Sequence, residues 1–492
     1  MGKETGFIEY ERENQTKRPV KERIKDFNQI YIPMNYEKVR IQAARCMDCG
    51  VPFCTSEYGC PLGNAAPEIN DLVYRGQWKE ALDRLLQTNN FPEFTGTVCP
   101  SLCEKACVLG AIKEPVGCKN MELSIINKAF EEGWITAKPP LIRIGKSVAI
   151  IGSGPAGLAC ADQLNKAGYD VTVFERDDVI GGLLVYGIPD FKLEKWVVDR
   201  RIDLLKQEGI KFKTNIWVGR DYPARILKKE YDIIVLTGGA TQARDLPIPG
   251  RSLKGLHFAV DYLKQQNKRN RGLDVDEEEI IATDKNVIVI GGGDTANDCV
   301  GTAIRQGAKN VYQLQRSSES ERDLKGASFW GKIYAMTKNP VFEEGGIREY
   351  SVKPTAFSGE GGIVHKLHAV KLDENRKEIP DSDFEIECDL ALFALGFLHP
   401  EHETLLGDLG VELDERGNVK TDEFKRTSVK GVYAAGDMRS GQSLVCKAIS
   451  DGRKAATNNY YSLPLFSFSC PYIFFNIRNN SPIRIFIKNS CR

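Results

Sequence analysis

Hydrophobic and polar positions along the chain change rhythm several times. Between residues 67 and 96, PEINDLVYRGQWKEALDRLLQTNNFPEFTG sets Leu72, Trp78, Leu82, Leu85 and Leu86 at helical spacing and predicts a small helical scaffold. From Lys146 the texture becomes KSVAIIGSGPAGLACADQLNKAGYDVTVFERDD: an apolar strand, a glycine-rich turn, an amphipathic helix and a second strand ending in an acid, which is a complete βαβ unit. The same succession returns in NVIVIGGGDTANDCVGTAIRQGAKNVYQLQRSSESER, and a strand, turn and helix appear again in GVYAAGDMRSGQSLVCKAISDGRKAA. Two further apolar runs, DIIVLTGGA and DLALFALGF, read as strands ending in small residues and mark crossings between two folds.

The turns carry the first chemistry. Gly152, Gly154 and Gly157 form G-x-G-x-x-G: the first permits the turn, the second admits a pyrophosphate against the backbone, and the third lets helix and strand pack closely. The helix N-terminus faces the phosphates with its positive dipole end, and Glu175 closes the second strand where a ribose diol would sit. In the second unit Gly291, Gly293 and Ala296 give G-x-G-x-x-A, which implies a second dinucleotide. Its second strand ends at Arg316, with Arg322 shortly after, where a 2′-phosphate needs cationic donors and an acid would repel it; NADPH is favoured over NADH. The alternative is an ordinary solvated charge run, since SSESER is polar throughout. Asp437 lies at the third turn, where it suits either a flavin's ribityl chain or a helix cap.

Composition narrows the class. A length of 492 residues suggests about two to four domains, and 42% hydrophobic content can bury sizeable cores. Lysine plus arginine equals aspartate plus glutamate at 67 each, so nothing points to a nucleic-acid or membrane-surface partner. The mixed-charge N-terminus, MGKETGFIEYERENQTKRPVKERIKDF, is neither a secretory signal nor a transit peptide, which predicts a cytoplasmic or organelle-matrix setting, both reducing.

Of the 14 cysteines, Cys46, Cys49, Cys54, Cys60, Cys99, Cys103, Cys107 and Cys118 lie in one early stretch, and a reducing compartment argues against disulfides. A four-iron cluster needs four soft anionic donors around a small cube, and Cys46-x-x-Cys49-x4-Cys54 supplies three from one loop, with Gly50 and Pro52 turning the backbone. Zinc would favour paired knuckles with histidine, and this region has none.

Together the passages CMDCGVPFC, GCPLGN, GTVCPSLCEKAC, IGSGPAGLACADQL, VIGGLLVYGIPDFKLEK, IGGGDTANDC and AAGDMRSGQSL, in this order, closely resemble the small (β) subunit of glutamate synthase. That subunit falls within the iron–sulfur, two-dinucleotide flavoproteins that include dihydropyrimidine dehydrogenase. The resemblance runs from about residue 5 to residue 457. It implies FAD on Gly152, Gly154, Pro155, Ala156, Gly157 and Glu175, with Gly182, Leu183, Gly436, Asp437, Gln442 and Ser443 also against the flavin. It implies NADPH on Gly291, Gly293, Asp294, Thr295 and Ala296, with Arg316 and Arg322 at the 2′-phosphate, and hydride passing from nicotinamide to flavin without a protein acid or base. It implies two 4Fe-4S clusters with interleaved ligands: Cys46, Cys49, Cys54 and Cys107 on one; Cys60, Cys99, Cys103 and Glu122, near the family's glutamine ligand, on the other; Cys118 is a bystander.

By the same resemblance the partner is a large (α) subunit carrying FMN and glutaminase activity, which makes glutamate from glutamine and 2-oxoglutarate. This chain has no N-terminal nucleophilic cysteine for that half, its first cysteine being Cys46. The expected fold is α/β: two Rossmann-like, glutathione-reductase-like domains preceded by an all-α iron–sulfur domain. The boundaries expected are 1–145 for the clusters, 146–255 and 391–457 for FAD, 256–390 for NADPH, and 458–492 for an atypical tail. Two features depart from the family: Gln315-Arg316-Ser317 replaces its paired arginines, and the tail is aromatic, asparagine-rich and aperiodic, as an altered reading frame or unspliced terminus would be. The rival readings are an electron-input subunit of another complex, serving ferredoxin or a pyrimidine reductase, and a non-catalytic nucleotide-binding scaffold.

Overall fold

The computed structural model describes residues 2–275, 278–320, 329–330 and 339–462. Arg322 and residues 463–492 of the tail lie outside the described residues.

The N-terminal part is helical, as expected, with α1 (Tyr36–Ala43), α2 (Ala66–Tyr74), α3 (Trp78–Leu86), α4 (Pro92–Val98) and α5 (Cys118–Glu131) as its main members. Asn35 caps α1 by accepting from Glu37 N at 2.8 Å, satisfying an otherwise orphaned donor. The leucine-rich stretch is two helices folded back on each other, α2 and α3. Trp78, Leu82 and Leu85 bury together with Ile69, Val73, Met121 and Ile125, while Leu72 and Leu86 pack at the edge of the same core.

The chain then enters a parallel sheet through β1 (Ser147–Ile151), α6 (Pro155–Lys166), β2 (Asp170–Phe174), α7 (Lys195–Gln207), β3 (Lys211–Lys213) and β4 (Ile233–Leu236). It leaves for a second sheet built from β5 (Leu256–Phe258), α8 (Ala259–Asn270), β6 (Asn286–Ile290), α9 (Asp294–Arg305), β7 (Asn310–Leu314) and β8 (Ile347–Glu349). An antiparallel excursion of β9 (Val352–Glu360), β10 (Ile363–Lys371) and β11 (Phe384–Glu387) follows, which the glycine motifs do not announce. β12 (Leu390–Phe393) pairs in parallel with both β5 and β6. Its last residues therefore belong to the second sheet, and the return crossing falls after Phe393 rather than at the expected 390/391 boundary. Finally β13 (Val432–Ala434) pairs with β4, giving orders β13-β4-β1-β2-β3 and β5-β12-β6-β7-β8, each with the glycine turn at the C-terminal end of a central strand.

The closing helix α10 (Val445–Ser462) crosses α6 at Gly452, where a Cβ would run into the Ala156 carbonyl oxygen. It continues several residues past Ala456, where the sequence departs from the family pattern.

The two dinucleotide folds are pinned by ion pairs between them: Lys192 to Asp298 at 2.5 Å, Lys264 to Asp177 at 2.6 Å and Arg271 to Asp199 at 3.1 Å. The N-terminal arm adds Arg23, which shares Glu344 with Arg305 at 2.7 and 2.6 Å, all three side chains buried.

The Gly452 crossing carries a direct test. Gly452→Val should lower stability to urea by about 1–3 kcal/mol, the usual cost of overpacking, whereas Gly407→Ala, whose new methyl meets nothing closer than 3.6 Å, should leave it unchanged.

Candidate functional site

The first glycine turn is built by close backbone approach. Gly152 has φ +102°, and a Cβ there would stand 2.5 Å from the Thr237 carbonyl oxygen at the end of β4. A Cβ on Gly157 would strike the Gly152 carbonyl and stand 2.8 Å from Thr237 Oγ1. Gly154, by contrast, has nothing within 4 Å of where a Cβ would be, so the middle of the turn is an open cradle of the kind a pyrophosphate fills. Pro155 begins α6, where its missing N–H costs nothing, and Ala156 is buried behind it.

Glu175 organises this turn from within. Its Oε2 accepts from Ser153 N at 3.0 Å and Ser153 Oγ at 2.5 Å, and its Oε1 accepts from Asp177 N at 2.9 Å. Ser153 Oγ in turn accepts from Gly181 N at 2.9 Å, drawing the Gly181–Gly182 loop and Leu183 over the turn, with Gly182 against Gly154. A carboxylate has about four acceptor positions, so Oε1 retains capacity for a ribose hydroxyl. Ser153 is a residue the motif arithmetic passes over, because it occupies an x position.

The third segment closes the same site. Gly436 lies against Ala156, and its N–H is held by Asp451 Oδ2 at 2.8 Å; Asp451 also pairs with Lys425 at 2.9 Å and Arg439 at 3.0 Å. Asp437 accepts from Ser443 Oγ at 2.7 Å, and burial pushes its carboxyl up. Gln442 Oε1 accepts from Phe397 N at 3.0 Å, which ties this segment to the crossing after β12.

At the second turn the geometry repeats. Gly291 has φ +143°, and a Cβ there would collide with the Ala394 carbonyl oxygen just beyond β12, while the Gly293 position is open. Asp294 and Thr295 begin α9 and Ala296 is buried behind them. Arg316 stands exposed just past β7. Lys192, from the segment between β2 and α7, reaches this helix through Asp298, a contact no single motif contains.

Cys46, Cys54 and Cys107 lie at the edge of a small apolar cluster with Met47, Leu109 and Val116 that also buries Cys60, Cys103 and Cys118, burial pushing the Cys46, Cys54 and Cys107 thiols up, and Cys49 is exposed on the same loop as Cys46. Cys60, Cys99, Cys103 and Glu122 line one cavity with Asn64, Thr95 and Cys446. Glu122 accepts from Asn64 Nδ2 and Thr95 Oγ1, both at 2.8 Å and both neutral, and burial raises its carboxyl to about 7. A buried carboxylate held only by neutral donors among soft thiols suits a metal-bearing site, where positive charge would offset its desolvation. Cys118, expected as a bystander, is buried in the same apolar cluster as Cys103. Among the described residues no three His, Cys, Asp or Glu side chains are grouped to share one metal ion, as a zinc site requires; a cluster holds its ligands further apart.

Two phosphate cradles in series, one roofed by the segment around Gly436 and Asp437 and both preceded by a cysteine-rich helical domain, define a flavin- and pyridine-nucleotide-dependent oxidoreductase with an iron–sulfur front domain. The family profile described as pyridine nucleotide-disulphide oxidoreductase matches residues 146–452, and that of dihydropyrimidine dehydrogenase domain II, 4Fe-4S cluster, matches residues 23–134. The glutamate synthase [NADPH] small chain of Mycobacterium tuberculosis is 49% identical over 460 residues, covering 92% of this chain and 94% of that one. The Bacillus subtilis [NADPH] small chain is 45% identical, covering 93% and 97%. The Schizosaccharomyces pombe glutamate synthase [NADH] is 46% identical over 93% of this chain but only 22% of its own length. The chain belongs to the glutamate synthase small-chain family. Mycobacterium tuberculosis FprA in complex with NADPH shares the fold at TM-score 0.50 and 18% identity, covering 66% of this chain and 84% of that one. No helix among the described residues is long and apolar enough to cross a membrane.

Glu175→Gln turns a nitrogen toward the Ser153 N–H and should weaken FAD binding to flavin-stripped protein roughly ten- to a hundredfold, the loss of a charged hydrogen bond. Ser153→Ala should weaken it less, and flavin fluorescence titration reads both.

Proposed function

We propose that this chain is the NADPH-oxidising, electron-input subunit of a glutamate synthase. The observation that carries the reading is a shared wall: residues 436–446 touch the first glycine turn at Ala156 through Gly436 and line the thiol cavity through Cys446. A flavin and an iron–sulfur centre held against one short segment would be neighbours, which supports electron exchange between them.

Held by the first turn, Glu175 and Asp437, a flavin would supply the capacity to accept a hydride from nicotinamide and to give up electrons singly to iron–sulfur centres. The protein's own task is to hold and screen. The first turn, Glu175 and Asp437 bind the flavin nucleotide; the second turn binds the other nucleotide; apolar neighbours such as Leu109 and Val116 keep water from the thiols. Two clusters fit the donor sets, one on Cys46, Cys49, Cys54 and Cys107 and one on Cys60, Cys99, Cys103 and Glu122. Residues 1–145 then form the cluster domain, 146–255 and 394–457 the FAD domain, and 256–393, which takes in all of β12, the NADPH domain.

Relatives named for NADPH and for NADH are similarly close to this chain, so overall identity does not separate the two. Arg316, exposed at the end of β7, favours NADPH. The partner is a glutamate synthase large (α) subunit carrying FMN and glutaminase activity, in a reducing compartment, the cytoplasm in the first instance.

Anaerobically purified protein should carry about eight irons and one FAD per chain, and two or fewer irons would contradict the two-cluster reading. Arg316→Glu should raise KM for NADPH roughly ten- to a hundredfold and leave KM for NADH nearly unchanged in a steady-state dye-reduction assay.

A further inference from the structure

The carbonyl of each turn's leading glycine is held by a side-chain donor, and the two donors come from different strands. In the first fold Thr237 Oγ1, just past β4, lies 3.1 Å from Gly152 O and 3.0 Å from Ile151 O, sharing its one proton between them. In the second fold Gln313 Nε2, on β7, donates to Gly291 O and to Asn297 Oδ1, both at 3.1 Å. The two folds correspond residue by residue around this point. Thr237 N donates to Ile151 O and Ala394 N to Ile290 O, both at 2.9 Å, so Ala394 stands where the first fold has Thr237. Val173 pairs with Ile150, two residues ahead of Gly152, and Gln313 pairs with Val289, two residues ahead of Gly291, so Gln313 stands where the first fold has Val173. Asn297 on α9 likewise takes the place of Leu158 on α6.

The exchange has a steric reason. A Cβ on Gly157 would stand 2.8 Å from Thr237 Oγ1. The second turn carries Ala296 at the position of Gly157, so its methyl fills the room that a threonine hydroxyl at 394 would need. The second turn also has more to hold. The first is tied by Ser153 to Glu175, whereas the second reads Gly291-Gly292-Gly293, three residues whose backbone freedom must be restrained from outside. Gln313 and Asn297 are each 1% exposed, where the first fold buries Val173 and Leu158 completely. Burying amides in place of apolar side chains is costly, and Gln313 Oε1 is buried with no hydrogen-bond partner among the described residues. Packing alone would accept the apolar pair.

We infer that Gln313, seated by Asn297, is the positioning residue of the second cradle. It draws the Gly291 carbonyl oxygen inward, away from the open Gly293 position, and so fixes the planar peptide leading to Gly292 and the entry to α9. A carbonyl released toward the cradle would set its negative end against a pyrophosphate. Gln313 touches no reacting atom, so it governs nucleotide affinity rather than hydride transfer, and it does so for NADPH and NADH alike, unlike Arg316. The inference rests on the reading of the second turn as the pyridine-nucleotide site.

The test compares the full-length wild type with Gln313→Val and Gln313→Met by flavin and iron content, by KM and kcat for each nucleotide in dye reduction, and by Kd for NADP+. Flavin and iron should be equal and kcat nearly unchanged, while KM for NADPH and for NADH and Kd for NADP+ all rise roughly three- to thirtyfold. A triple variant, Gln313→Val with Ala296→Gly and Ala394→Thr, rebuilds the first turn's donor in the second and should recover part of the lost affinity. Unmoved KM and Kd in both single variants would overturn the inference, as would a fall in kcat at unchanged KM, or a triple variant no better than Gln313→Val. Loss of flavin from both single variants would also overturn it, making the amide a part of the core. A wild type that binds neither nucleotide would overturn the reading of the second turn itself; a wild type that binds them, with unmoved variants, would overturn only the role of Gln313.

Discussion

Both dinucleotide sites depend on one constraint, the contact of backbone on backbone between a glycine turn and the strand by which the chain leaves or re-enters the fold. Gly152 presses on Thr237 at the end of β4, and Gly291 presses on Ala394 just past β12. Neither contact leaves room for a Cβ. This is why DIIVLTGGA and DLALFALGF end in small residues: the same residues that let the chain cross between folds must also let a phosphate turn sit against them. A bulky side chain at either crossing would therefore disturb a nucleotide site and the connection between folds together.

The electron-transfer geometry follows from how the crossings bring distant segments together. The return crossing meets Gln442 through Phe397, and the segment that follows contains both Asp437 and Cys446. Lys192, on the segment between β2 and α7, reaches Asp298 on the second turn's helix. The buried Arg23, Glu344 and Arg305 group holds the N-terminal arm to the second fold. Removing one member of such a buried ionic group leaves the others uncompensated, which is more costly than the pair itself is stabilising. The orientation of the folds is thus fixed by charges that have few alternative partners.

Much of this was legible in the sequence because it is local. The glycine turns, their helices and the leucine face of α3 are set by short-range spacing, and these elements form where that spacing predicts them. The antiparallel β9–β11 excursion lies outside the dinucleotide motifs, and its local signal is Gly361-Gly362, at φ +59° and +80° between β9 and β10, a two-residue hairpin turn that the dinucleotide reading passes over. Ser153, Lys192, Asn64, Thr95 and Cys446 were not legible: each acts on a partner far away in sequence or across a turn, and an isolated serine, asparagine or cysteine has no periodicity to betray it. The resemblance supplied a complete ligand set without Cys118, yet at the start of α5 it is buried in one apolar cluster with Cys103.

The central claim is that the first fifteen residues of the cysteine block, CMDCGVPFCTSEYGC, serve two different clusters. Cys54→Ser and Cys60→Ser proteins, purified anaerobically and reduced stepwise, should each lose one EPR signal, and the signal lost should differ between them. Loss of the same signal from both would contradict the division of this stretch between two sites.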